Sequence, residues 1–116
     1  MRILFTADIF AQAGRRMASI HIPALLRERS VDFVIANGEN AAGGFGLTDN
    51  LVSKLRSYGV DVITSGNHIW DRKEFVPQLD RDNRVLRPLN YPPGAPGQGS
   101  TIAESPSGHK VAVLCL

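Results

Sequence analysis

The 116-residue chain has a single cysteine, three histidines, one tryptophan and no long apolar run. One cysteine excludes an internal disulfide. Cys115, set inside the apolar run from Val111 to Leu116, reads as a small buried side chain rather than a nucleophile. A bilayer span needs about 20 apolar residues, and the N-terminus lacks a basic start followed by a long apolar core. No membrane partner is therefore expected, and a cytoplasmic location is. Thirteen basic and eleven acidic residues leave a formal charge of +2 and are largely interleaved. Without a basic stripe to grip a phosphate backbone, no nucleic-acid duplex is expected as a partner. The densest patch, Arg81 to Arg87, sets three arginines beside Asp82 and reads as a solvated loop.

What is present reads as one small domain, with an ordinary 43% of hydrophobic residues. Arg2 to Ala7 form an apolar, β-compatible run that ends at Asp8, as a buried strand with a carboxylate at its tip would. From about Gly14 to Arg29, Met17, Ile20, Ala24 and Leu25 recur at helical spacing, and Pro23 is expected to split this stretch into two short helices. A second strand, Val31 to Ala36, runs into Asn37, Gly38, Glu39 and Asn40. Thr48 then caps a helix that carries Leu51, Leu55 and Tyr58 on one face, with Gly59 placed for a left-handed C-terminal residue. A third strand, Val60 to Thr64, runs into Gly66, Asn67 and His68.

Three repeats of strand, polar tip and helix indicate α/β architecture with parallel βαβ units, whose strand tips share one edge, the edge at which such sheets bind ligands. Asp71 to Leu79 are expected as a third helix. The proline- and glycine-dense segment Leu89 to Gly99 is expected as an irregular loop, and Thr101 to Ala103 and Lys110 to Leu116 as a β-hairpin around a turn at Ser105 to Gly108. The last run stops without a capping residue, polar tail or closing helix, which reads as truncation, since a buried terminal strand exposes an edge that domains normally cover.

The three tips bring together Asp8, Glu39, Asn40, Asn67 and His68: two carboxylates, two amides and an imidazole. Oxygen and nitrogen donors of this kind suit manganese, iron, zinc or magnesium, and a carboxylate such as Glu39 can bridge two ions, so a two-metal centre is expected. Such a centre makes a water acidic enough to supply hydroxide near neutral pH and stabilises the oxygens of an in-line displacement at phosphorus. It also needs an acid for the leaving group, and His68 is placed for that role.

Each residue also has a plainer reading. Asp8 can cap the following helix, Asn37 to Asn40 can form a turn, Asn67 can hold a left-handed position, and His68 can bond a backbone group. All of these together are less economical than one site. A phosphate-binding loop at Asn40 to Gly46 is disfavoured, because the first strand is followed by no glycine fingerprint and the glycines by no Lys-Ser or Lys-Thr pair.

The words RILF leading to Asp8-Ile9, NGENAAGGFGLT at Asn37 to Thr48, GNHIWD at Gly66 to Asp71 and RPLNYPPGAPGQG at Arg87 to Gly99 resemble the calcineurin-like metallophosphoesterases. Within them the match is to the YmdB-like bacterial cyclic-nucleotide phosphodiesterases. The resemblance spans nearly the whole chain and implies the first half of a four-layered α/β sandwich, so residues 1–116 are expected to be the N-terminal half of one domain. It further implies two divalent ions, iron or manganese, with Asp8 and Asn40 on one, Asn67 on the other, Glu39 bridging both, and His68 as proton donor. The implied substrates are phosphodiesters, cyclic nucleotides in this subfamily. Ala7 departs from the glycine usual before the aspartate, and its methyl is expected to crowd the tip. Ala11 and Ala13 replace a glycine and a proline. The family's second half supplies histidines that complete both metal shells; here only His21, His68 and His109 occur, and neither His21 nor His109 is expected at a strand tip.

Three functions follow. The first is a metal-dependent phosphodiesterase with part of its active site on this chain. The second is a non-catalytic module that pairs its uncovered strands with another copy or with a missing half, as a homo-oligomer would. The third is a phosphate or nucleotide binder, which the presence of Glu39, Asn67 and His68 disfavours.

Overall fold

The computed structural model describes residues 1–116. Four short strands, β1 (Ile3–Thr6), β2 (Phe33–Asn37), β3 (Val62–Thr64) and β4 (Val85–Leu86), form one parallel sheet in the order β1-β2-β3-β4. Residues of β2, β3 and β4 are buried on both of its faces, whereas β1, expected as a buried strand, is an edge strand with Ile3 and Phe5 exposed. Ile3 pairs with Phe33, Ile35 with Val62, and Ile63 with Val85. On one face Val34, Ala36, Ile63 and Val85 pack beneath the helices, in a core with Ile22, Leu55 and Leu79. On the other, Phe33, Val62 and Leu86 meet Ala103, Val111, Val113 and Cys115. Near-continuous apolar strands are what a parallel sheet covered on both sides requires.

Helix α1 (Ala11–Glu28) connects β1 to β2, and α2 (Asp49–Ser57) connects β2 to β3. The Thr48 hydroxyl accepts from Leu51 N–H at 3.3 Å, capping α2 as expected, and Gly59 follows with φ +104. A side chain at Gly59 would put its Cβ 2.4 Å from Leu26 Cδ1, so this glycine also lets the end of α2 approach α1.

The second face is covered by an antiparallel hairpin, β5 (Ser100–Glu104) and β6 (Lys110–Leu114), with Ile102 opposite Ala112. The layers are thus helices, parallel sheet and hairpin, the α/β arrangement read from the sequence. The outer face of the hairpin is open, with Ile102 72% exposed.

Four local expectations are corrected. Pro23 does not split the first helix: α1 is a single 18-residue helix that starts at Ala11. An interior proline costs about 3 kcal/mol, but Ala18 and Ile22 are buried in the core before it and Leu26 packs against Gly59 after it. The expected helix Asp71 to Leu79 is absent. Within it only Val76–Gln78 forms a short 3-10 turn, built around Pro77, which cannot donate to an α-helical ladder; a second such turn, Asn67–Trp70, precedes it. Part of the Arg81 to Arg87 patch is not a solvated loop: Val85 and Leu86 form β4, and Arg87 is 6% exposed, its guanidinium donating to the carbonyls of Pro88 (2.9 Å) and Pro96 (3.2 Å). The parallel strands therefore number four rather than three. Strands β2 and β3 also begin two residues later than their apolar runs.

Candidate metal centre

Parallel order places the C-terminal tips of β1, β2 and β3 side by side, and the backbone ties them into one ledge. Ile9 N–H donates to Asn37 O, Ala11 N–H to Asn40 O, and Gly38 N–H to Thr64 O, each at 3.0 Å. The first bond joins the β1 and β2 tips and the last joins β2 to β3.

On this ledge Asp8 has a left-handed φ of 37°, uncommon for a residue with a Cβ. Its Oδ1 accepts from Asn40 Nδ2 at 2.7 Å. That bond orients the amide, and the remaining Asn40 Oδ1 is shielded from solvent with no hydrogen-bond partner. An acceptor withdrawn from water without a donor costs about 1–3 kcal/mol, so a polar atom left in this state calls for an explanation. A cation supplies one.

The Glu39 carboxylate lies directly against the bare α-carbon of Gly66. A Cβ built there would sit 2.2 Å from Oε2 and 2.6 Å from Oε1. Gly66 thereby cradles the carboxylate at the start of the segment that carries Asn67, the neighbour of Gly66 on β3's tip. Asn67 opens a 3-10 turn and helps line a hollow of about 340 Å³ with Pro88, Tyr91 and Leu116. His68 follows, its Nδ1 2.7 Å from Asp71 Oδ2 and its ring edge-on to Phe45, with centroids 5.2 Å apart at 73°. With the carboxylate accepting from Nδ1–H, the His68 tautomer leaves Nε2 facing other partners.

The glycine-rich loop is no anion nest. Its amides are used internally: Ala42 N–H bonds Gly46 O, Gly44 N–H bonds Asn40 O, and Phe45 N–H bonds Ala42 O. Its carbonyls are capped by two arginines. Arg15 donates to Ala41 O, and Arg72 donates to Phe45 O at 3.0 Å and to Ala42 O at 2.7 Å. The loop is a rigid wall beside the ledge rather than a phosphate cradle.

Beneath the ledge, the Cys115 thiol bonds Ser65 O at 3.1 Å. Burial pushes its pKa up, the bond to Ser65 opposes this, and the Glu39 charge adds to the rise. The thiol is thus held neutral, as expected of a structural cysteine.

Of the residues singled out in the sequence, Asp8, Glu39 and Asn40 are brought together, with Asn67 and His68 following from Gly66 on the neighbouring tip. His109 is elsewhere, bonding Ser107 Oγ at 2.9 Å in the hairpin turn. His21 lies ten residues beyond the start of α1, exposed on a groove of about 260 Å³ that Asp8 also lines. Ala7 is exposed. Asp71, Arg72 and Arg15 were not picked out; the His-x-x-Asp spacing in GNHIWD is the signal for the first. No three His, Cys, Asp or Glu side chains converge to hold an ion. The set is instead two carboxylates and two amides, oxygen donors suited to a hard or borderline divalent cation, and the unpartnered Asn40 Oδ1 and the cradled Glu39 fit one.

A parallel α/β sheet backed by a hairpin, with its donors on the C-terminal edge, is a fold of phosphatase type. Over 98% of its length the chain is similar to a crystal structure of a hypothetical protein from Thermus thermophilus, with a TM-score of 0.88 and 46% identity. Over 88% it is similar to a novel phosphatase from Mycoplasma pneumoniae, with a TM-score of 0.81 and 32% identity. Across all 116 residues it is 42% identical to the 2',3'-cyclic-nucleotide 2'-phosphodiesterase of Bacillus subtilis (strain 168). The family model described as YmdB-like protein matches residues 4–116, and the chain belongs to that family. It spans 44% of the Bacillus subtilis protein, 44% of the Thermus thermophilus chain and 38% of the Mycoplasma pneumoniae chain.

Proposed function

We propose that the ledge is a share of the active site of a metal-dependent phosphodiesterase acting on cyclic nucleotides. The observation that carries this reading is Asn40, whose amide is oriented by Asp8 and whose buried Oδ1 has no partner in the protein. The name of the Bacillus subtilis relative supports the substrate class. Asp8 and Asn40 would hold one divalent ion, Asn67 a second, and Glu39 both, with manganese or iron favoured and zinc or magnesium compatible with the same donors. When bound, such ions acidify a water and offset charge on phosphoryl oxygens.

The chain's own residues supply the rest. The Asp8–Asn40 bond fixes one donor pair, and Gly66 fixes the Glu39 carboxylate. Asp71 accepts from His68 Nδ1–H, and in the imidazolium form of His68 the Nε2–H would pass its proton to the departing alkoxide oxygen as the phosphorus–oxygen bond breaks. Hydrolysis of 2',3'-cyclic AMP with added manganese tests the reading. Glu39→Ala and His68→Ala, folded as judged by circular dichroism, are expected to lose it; unchanged rates would remove both residues from the mechanism.

A non-catalytic assembly module is the second reading. It is favoured by the open edge of β1, where Phe5 is 59% exposed, and by the uncovered hairpin face. Size-exclusion chromatography beside the assay separates the two, because activity in a monomer would sink the module reading.

A further inference from the structure

Phe10 and Phe45 are each 56% exposed, although the neighbouring Ile9, Ala41, Ala42 and Leu47 are buried. They flank Gly44. Its φ is +99, and a Cβ there would lie 3.2 Å from Phe10 Cζ, so the Phe10 ring rests over the bare glycine. Phe45 is held from the other side. Its N–H bonds Ala42 O and its carbonyl accepts from Arg72 Nε, which fixes the backbone that carries the ring. The result is two largely exposed aromatic rings, Phe45 on the braced loop and Phe10 at the start of α1, side by side over Gly44. One of them lies 5.2 Å, centroid to centroid, from His68.

We propose that Phe45, with Phe10 beyond it, forms a stacking platform for the base of a nucleotide whose phosphate lies on the ledge. The inference rests on the function proposed above and adds to it the part of the substrate that is recognised. A phosphoester within reach of His68 carries its sugar and base past the ring that touches His68. An exposed aromatic face takes any base by stacking, with no hydrogen-bond code required. The platform therefore separates nucleotides from phosphoesters without a base while tolerating purines and pyrimidines alike. Phe45 acts in positioning and specificity, whereas proton transfer belongs to His68.

The test is calorimetric titration of the 116-residue chain, with manganese present, using adenosine 3'-monophosphate and, separately, glycerol 2-phosphate. The nucleotide is expected to bind about tenfold more tightly. Phe45→Leu should bring the two ligands to parity, and Phe45→Trp should keep the difference. In the unsubstituted protein, the Phe45 ring protons should move upfield in the NMR spectrum when the nucleotide is added and stay in place with glycerol phosphate. Should Phe45→Leu fail to fold, that spectrum and Phe10→Leu decide the matter. Equal affinities in the unsubstituted protein would overturn the platform and leave the phosphoester site standing. Equal weakening of both ligands by Phe45→Leu would also overturn it, reducing Phe45 to a prop for His68. Binding of neither ligand would overturn the function on which the platform rests, and the platform with it.

Discussion

Gly66 and Glu39 are complementary in shape: the absent side chain of one is the space occupied by the carboxylate of the other, with 2.2 Å between a Cβ built on Gly66 and Glu39 Oε2. Gly66 has φ −147, a value open to other residues, so its requirement for glycine is one of space.

Gly66→Ala is therefore expected to displace the Glu39 carboxylate without straining the local backbone. Forcing a methyl into a filled site costs about 1–3 kcal/mol, here partly relieved because the displaced group is a side-chain end. Urea denaturation measures that loss. Manganese titration of the folded fraction should show weaker binding than the parent, and unchanged affinity would mean that Glu39 is not a ligand.

Ala11 is held at φ 47, where an alanine pays a steric penalty of about 1–2 kcal/mol. Its N–H is fixed to Asn40 O, so the conformation is imposed by the join between the β1 and β2 tips. Ala11→Gly removes the clash but loosens the unfolded chain by about 0.4–1 kcal/mol. The expected net effect is a stabilisation of up to about 1.6 kcal/mol, seen as a melting temperature a few degrees higher. A lower melting temperature would show that the methyl contributes packing that outweighs the strain.

Burial raises the pKa of Cys115 in the folded chain, so the folded state keeps its proton where the unfolded state begins to lose it. Below the ordinary thiol value of about 8.5 both states are protonated and the group is neutral in its effect. Above it the unfolded state is favoured, and stability falls as pH rises. The parent should lose more stability between about pH 8 and pH 10 than Cys115→Ala, compared by urea midpoints. Parallel declines would show that the thiol does not contribute.

Much of this fold was legible because both faces of a parallel sheet are buried, which leaves apolar runs such as Phe33–Ile35 ending sharply at polar tips. Parallel tips share an edge, and that brings Asp8, Glu39 and Asn40 into one reading of the sequence. Strand β4 was hidden because two residues, Val85 and Leu86, show no periodicity and follow Arg81 to Arg84; only pairing with Ile63 and Thr64 makes them a strand. The continuity of α1 through Pro23 was hidden for the opposite reason, since a strong local signal was overruled by the burial of Ile22. In the candidate site, the residues at the strand tips are visible in the sequence, but their bonding is not. That Asp71 holds His68 depends on the 3-10 turn Asn67–Trp70, and the shielding of Asn40 Oδ1 depends on tertiary packing, neither of which shows in the sequence.

The central claim is that the unpartnered Asn40 oxygen belongs to a cation site, and manganese titration of the parent and of Asn40→Ala tests it most directly. Without metal, Asn40→Ala loses one hydrogen bond and also removes the unsatisfied oxygen, so its stability is expected to stay within about 1 kcal/mol of the parent. With metal, the parent should bind manganese and melt at a higher temperature, while Asn40→Ala should bind at least about tenfold more weakly and gain little. Equal manganese affinity in the two proteins, or none in the parent, would contradict the account.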